Sequence, residues 1–188
     1  MNRKTGGDLM DDILLQRVRN KDKEAFEELY KQYAEYAMRV ATVVTKSSAS
    51  ASDAVQETFI RVYYNLDKFK PGRPFGPWFY RILINECNRI LKSGAKLSYI
   101  SDHIEDGIDI SKEDEHNFEE YEELYRAIKA LDIKFRTAIV LKYLKGFKEA
   151  EIAEIMDLNI NTVKSRLFKG RQKLKKLLSG RSEEEELK

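Results

Sequence analysis

Apolar residues fall at helical steps along most of this chain. From Lys23 to Thr45, the positions Phe26, Leu29, Tyr30, Tyr33, Ala37, Val40, Ala41 and Val44 recur every three or four residues, which places them on one face of a helix. A short helix around Asp12 to Arg19 precedes it. Val55, Thr58, Phe59, Val62, Tyr63 and Leu66 set out a third, for which Ser50 or Ser52 can serve as N-cap. The chain's three prolines, Pro71, Pro74 and Pro77, then interrupt the pattern. A fourth helix opens near Pro77 and runs to about Lys92, turning Phe79, Ile82, Leu83, Cys87 and Ile90 inward. These four helices predict one bundle.

Between Ser93 and Asn117 the periodicity stops and acidic residues gather, Asp102, Glu105, Asp106, Asp109 and Glu113 among them, which predicts a flexible acidic linker. Beyond it Tyr121, Leu124, Tyr125, Ile128 and Leu131 form a helical stripe, followed by helical segments over Arg136 to Leu144, Glu149 to Met156 and Asn161 to Leu178. No strand alternation competes and no internal repeat is detectable. The expected architecture is all-α: a helical domain over 1–92, a linker over 93–117 and a second helical domain over 118–188.

Composition narrows the class. With 188 residues, 42% of them hydrophobic, the chain can bury real cores, and one or two small domains fit. The 34 lysines and arginines nearly balance 32 acidic residues, so where the charges sit matters more than their sum. One cysteine, Cys87, rules out an internal disulfide, and with His103 and His116 as the remaining soft ligands a structural zinc site has no ligand set. No cofactor and no metal are expected. The polar start from Met1 to Asp11, and the lack of any run near the roughly 20 apolar residues of a membrane span, predict a cytoplasmic protein with no membrane contact of its own.

Chemistry concentrates in three places. Glu149 to Met156, a turn over Asp157 to Ile160 and a long helix opening at Asn161 and Thr162 have the proportions of a helix-turn-helix, with Asn161 a candidate cap. On the long helix Val163, Leu167, Gly170, Leu174 and Leu178 share one face, which leaves Lys164, Ser165, Phe168, Lys169, Arg171 and Gln172 to the others. Lysine and arginine there neutralise phosphates and donate to guanine edges, and Phe168 suits a thymine methyl. From Lys142 to Arg181 bases outnumber acids by more than two to one, a basic end on an otherwise balanced chain.

Earlier, Asp53, Glu57, Ile60 and Tyr64 project opposite the apolar stripe of their helix with Gln56 beside them, a surface able to accept arginine from a protein partner. The loop that follows mixes proline, aromatic and basic residues, including Lys68, Arg73, Phe75, Trp78 and Arg81, as single-stranded nucleic acid requires: bases stack on rings while cations hold the backbone. Trp78, Arg81, Asn85 and Asn88 then share one helical stripe. The plain alternatives are a solvated acidic face, a basic helix end matched to its own dipole, and rings at Phe75 and Trp78 that merely close the bundle.

The strings Glu151-Ile-Ala-Glu-Ile-Met156 and Asn161-Thr-Val-Lys-Ser-Arg-Leu-Phe-Lys-Gly-Arg-Gln-Lys-Leu174, with Arg136 and Gly146 in place, resemble the promoter-binding C-terminal domain of extracytoplasmic-function sigma factors of the sigma-70 family. Asp53-Ala-Val-Gln-Glu-Thr-Phe59 resembles the segment of that family that docks on the polymerase, and the loop from Asp67 to Arg81 resembles its -10 recognition region. The resemblance implies a sigma-2-type bundle and a sigma-4-type helix-turn-helix domain. It assigns contact with core RNA polymerase, through the clamp helices of its largest subunit, to Asp53, Gln56 and Glu57, with the flap region as a second contact. Single-stranded -10 DNA falls to Lys68, Arg73, Phe75, Trp78, Arg81, Asn85 and Asn88, around a base pocket built by the loop from Phe69 to Phe75. Duplex -35 DNA falls to Asn161, Thr162, Lys164, Ser165, Arg166, Phe168, Lys169 and Arg171. An anti-sigma factor is implied as a further partner. Asp132, Lys148 and Asn161 stand where the family usually has proline, a hydroxyl cap and glycine, and Arg89 where it often has aspartate.

Two other functions compete. An autonomous helix-turn-helix regulator predicts tight duplex binding that needs no polymerase. A small metal-dependent nuclease built on Asp53 and Glu57 predicts DNA cleavage, yet the nearby sequence supplies no general base and no completed metal shell.

Overall fold

The computed structural model describes residues 12–70, 72–98 and 122–185. Within them the chain forms helices α1 (Asp12–Arg19), α2 (Lys23–Thr45), α3 (Ser48–Asn65), a 3-10 turn (Leu66–Lys68), α4 (Phe75–Ser98), α5 (Glu122–Ala130), α6 (Ile133–Tyr143), α7 (Glu149–Met156) and α8 (Ile160–Glu185), with no strand among the described residues. Most of the predicted linker lies outside the described residues; its first positions, 93–98, instead continue α4.

Local chemistry sets the boundaries. The Asp22 carboxylate accepts the Glu24 and Ala25 amides at 3.0 and 3.1 Å, which starts α2, and Lys46 ends it in the left-handed region at φ 67°. Ser47 caps α3, its hydroxyl accepting the Ser50 amide at 3.2 Å, so neither Ser50 nor Ser52 is the cap. Alanine and valine at Ala51, Ala54 and Val55 are buried, and reaching them extends the helix a turn further back than the apolar stripe alone suggested.

The N-terminal bundle packs Leu29, Val40, Phe59, Val62, Phe79 and Leu83 of α2, α3 and α4 against one another, with α1 laid across them through Leu14, Leu15 and Val18. In the C-terminal unit α6 packs on α8, and Gly170 makes room for the Ile139 side chain: a Cβ there would meet Ile139 Cγ1 at 3.0 Å. The Lys148 amide, lacking a hydroxyl cap, donates to Glu151 at 2.7 Å, so α7 starts without the usual residue.

The two units share one continuous core. Arg136 of α6, 4% exposed, donates to the Val44 carbonyl of α2 at 2.8 Å and to the Leu131 and Lys129 carbonyls at 2.8 and 3.0 Å. One guanidinium thus closes the open C-terminal ends of α2 and α5. Beside it Tyr80 of α4 stacks edge-on against Phe147, 5.3 Å between centroids, and the Lys145 ammonium lies over the Tyr36 and Tyr80 rings at 4.2 and 5.1 Å. Burial holds the Lys145 ammonium below the usual lysine range.

Candidate nucleic-acid interface

The helix-turn-helix is built from α7, a sharp turn and α8. Asp157 ends α7 in the left-handed region at φ 54°, and its amide returns to the Ala153 and Glu154 carbonyls. Asn159, not Asn161, caps α8: its side-chain oxygen accepts the Asn161 amide at 2.8 Å, and the helix already begins at Ile160. Val163, Leu167 and Gly170 are buried against α6 and α7, as their spacing predicted. Opposite them Asn161, Thr162, Lys164, Ser165, Lys169 and Arg171 are exposed, Phe168 is 55% exposed and Arg166 is half-buried. The eight residues assigned to -35 DNA therefore occupy one helix outside its core stripe, with Arg171 also donating to the Tyr143 hydroxyl at 3.1 Å.

On α3, Asp53 and Gln56 are exposed and Glu57 is half-buried, with Ile60 and Tyr64 on the same outer face at 42% and 71% exposure. A groove of about 600 Å³ opens beside them, lined by Phe26, Tyr30, Met38, Gln56, Ile60 and Tyr64. Glu57 is not isolated. Arg61 donates to it at 3.0 Å and reaches across to Glu86 of α4 at 2.8 Å, and Arg89 donates to the other oxygen of Glu86 at 2.7 Å. Glu86 is a buried carboxylate neutralised from both sides, and it ties α3 to α4. Sequence reading missed this chain because an acidic residue on an otherwise polar helix edge carries no sign of burial.

Between these elements the loop behaves differently from its prediction. Phe75 is fully buried, its ring wedged among Tyr33, Phe69, Trp78 and Phe79 at 5.2 to 6.0 Å, so it presents no face to a base and is withdrawn as a DNA contact. Phe69 is buried with it. These rings anchor both ends of the loop, while Lys68, Arg73 and Arg81 are exposed and Trp78 is half-buried. Asn85 is exposed and Asn88 half-buried on the same side of α4. Lys68 donates to Asn65 at 2.7 Å, and Arg81 meets Asp157 of the helix-turn-helix at 3.4 Å, a long contact between exposed groups. Among the described residues no cluster of His, Cys, Asp and Glu could hold a metal ion, and no helix is long and apolar enough to cross a membrane.

A helix-turn-helix with a cationic outer face, packed on a second helical bundle, has the form of a DNA-binding protein. Comparison with known proteins makes that specific. The profile of sigma-70 region 2 matches residues 29–96 and that of sigma-70 region 4 matches residues 121–174. The chain is 34% identical to the ECF RNA polymerase sigma-E factor of Escherichia coli (strain K12) over 178 residues, covering 87% of this chain and 92% of the relative. It is 31% identical to the ECF RNA polymerase sigma factor SigW of Bacillus subtilis over 177 residues, covering 87% and 94%. Among solved structures, CnrH in complex with the cytosolic domain of CnrY is similar at TM-score 0.69 and 25% identity, over 90% of this chain and 97% of that one. The sigma factor RpoE in complex with the anti-sigma factor NepR from Bartonella quintana shares the fold at TM-score 0.71 and 24% identity, over 82% and 96%. The chain belongs to the extracytoplasmic-function group of the sigma-70 family. It is a sigma factor, a subunit that brings RNA polymerase to promoter DNA, and members of this family are not enzymes.

Proposed function

We propose that the bundle over 1–92, extended to the end of α4, binds core RNA polymerase and the -10 element, and that the domain over 118–188 binds the -35 element as duplex. The exposed cationic face of α8 is the observation that carries this reading: Lys164, Lys169 and Arg171 lie outside the core stripe of a helix whose first residues, Ile160, Asn161 and Thr162, are exposed, as entry into a major groove requires. Asp53, Gln56 and Glu57 offer carboxylate and amide acceptors to polymerase arginines. Arg73, Trp78, Arg81, Asn85 and Asn88 surround the loop that captures an extruded -10 base. Extrusion costs a few kcal/mol, which stacking and hydrogen bonds in the pocket must offset, so melting needs no nucleotide hydrolysis. A cytoplasmic location suits these partners.

Control by an anti-sigma factor is part of the proposal. It is supported by the RpoE neighbour, which was solved bound to the anti-sigma factor NepR, and by CnrH, solved bound to the cytosolic domain of CnrY.

Run-off transcription with purified core polymerase and a pool of promoters tests the function. Lys169→Glu should lower initiation at -35-dependent promoters while leaving polymerase binding intact; undiminished transcription from the cognate promoter would remove the -35 assignment.

A further inference from the structure

The loop proposed to capture the -10 base leaves the bundle at the end of α3, and what fixes that point lies almost fifty residues upstream. Arg19, the last residue of α1, donates through Nε to the Leu66 carbonyl at 3.3 Å and through Nη2 to the Phe69 carbonyl. Two residues on, the Lys21 ammonium donates to the Tyr63 carbonyl at 2.8 Å and sits over the Tyr63 ring at 4.1 Å. Two cations from one corner of the chain therefore hold three carbonyls at the C-terminal end of α3 and its 3-10 turn, where the helix leaves acceptors open and its dipole favours positive charge.

The corner itself is braced. Leu14, Leu15 and Val18 are buried, Arg17 pairs with Asp22 at 2.8 Å, and Asp22 caps α2. Phe69, whose carbonyl Arg19 holds, stacks its ring against Phe75 and Trp78 at 5.5 and 5.3 Å. A continuous path thus runs from the core of α1 through one guanidinium to the backbone at the loop's start and on through the Phe69 ring to Trp78.

We infer that Arg19 is a positioning residue for base capture at -10: its guanidinium fixes the backbone from which the loop departs, and so sets where Arg73 and Trp78 meet the extruded base. This rests on the reading of the loop given above. A planar fork reaches two carbonyls three residues apart in one rigid geometry, whereas a lysine ammonium at the same place reaches one; the Leu66 carbonyl also accepts the Phe69 amide at 3.0 Å, so the hold that matters is the one on Phe69. A residue that only closes a helix end would act differently, weakening every activity of the bundle in proportion to lost stability.

The test uses holoenzyme assembled from the full chain and core polymerase. Its probes are single-stranded oligonucleotides retrieved by that holoenzyme from a randomised non-template -10 pool, each compared with a copy changed at the extruded base. Discrimination between the two should fall about tenfold in Arg19→Gln, the contribution of one well-stacked base, with Arg19→Lys between it and the parent. Core binding and binding to -35 duplex should stay unchanged in both. Arg73→Ala, which alters the loop directly, should also lose discrimination. If Arg73→Ala loses it and both Arg19 variants keep it, the positioning role is overturned and the loop reading stands. Equal weakening toward every oligonucleotide in the Arg19 variants also overturns it. If Arg73→Ala and the Arg19 variants all discriminate like the parent, the loop reading itself fails. Should Arg19→Gln not fold, Arg19→Lys carries the comparison, because it keeps the charge and one carbonyl contact.

Discussion

Arg136 offers the sharpest stability prediction. Replacing it with methionine keeps much of the length and apolar volume of the side chain but removes the guanidinium, so the Val44 and Leu131 carbonyls lose a charged donor at 2.8 Å inside the structure. A buried acceptor left without a partner costs about 1 to 3 kcal/mol, and two of them about 2 to 6. The Lys129 carbonyl, held at 3.0 Å, is only partly buried and recovers a water, so it adds little. Burial already disfavours the charged form of Arg136, and removing that charge returns some of the loss. The net expectation is about 3 kcal/mol, or roughly 6 to 12 °C in melting temperature for a chain of this size. Arg136→Lys should lose about half as much, since an ammonium reaches fewer of the three acceptors. Calorimetry and urea titration read the change, and the two halves should also unfold less cooperatively once one of the contacts that join them is gone. A loss below about 1 kcal/mol, or equal effects of methionine and lysine, would refute the reasoning that carbonyl satisfaction holds this seam together.

Glu86→Gln should cost about 1 to 2 kcal/mol in urea titration, because the buried carboxylate holds two arginines that are themselves about half exposed and can rehydrate. A neutral effect would mean that Arg61 and Arg89 pack there without needing its charge. Cys87 is fully buried and burial pushes its thiol up to about 12, so a thiol reagent at neutral pH should label it only when the protein unfolds; rapid labelling of folded protein would contradict the packing. The Lys173 ammonium, hydrogen-bonded at 2.6 Å, holds the Asp132 carboxyl below its ordinary value of 3.8. Because the folded value is the lower one, this pair stabilises the protein above about pH 4 and the contribution is lost as pH falls through the folded value. Asp132→Asn should flatten that part of the acid unfolding curve, and an unchanged curve would show that the pair contributes nothing.

Periodicity carried the individual helices well, and the reasons it stopped short are physical. The α2 boundaries at Lys23 and Thr45 coincide with the apolar stripe because an aspartate cap and a left-handed lysine close the helix where the stripe ends. Cap identities were harder. Ser47, Ser48, Ser50 and Ser52 are all competent, as are Asn159 and Asn161, and only backbone geometry chooses among them. Phe75 shows the same limit in the candidate site: where a loop meets a helix there is no period to say which ring of an aromatic run turns inward.

The seam between the two units was the larger omission, although it left a trace. Every residue from Phe135 to Leu141 is buried, so α6 is hidden all round rather than on one stripe, and the continuous run Ala138 to Leu141 shows this in the sequence. A helix covered on every side in so small a domain needs a neighbour from outside that domain. Arg19 and Arg61 had no such trace, because an arginine bound to distant carbonyls or carboxylates looks like any surface arginine in a linear reading.

The shared core also bears on distance. A compact body of the described residues measures roughly 40 Å across, whereas two promoter elements centred about 25 base pairs apart lie roughly 85 Å apart along duplex DNA. On the proposed assignment of one element to each unit, a molecule with Arg136 locked on Val44 and Tyr80 against Phe147 is too short to touch both. Any state that bridges them has released that contact, so the free energy of the closed form is subtracted from promoter affinity. Substitutions that loosen the seam will therefore trade stability of the free factor for easier engagement.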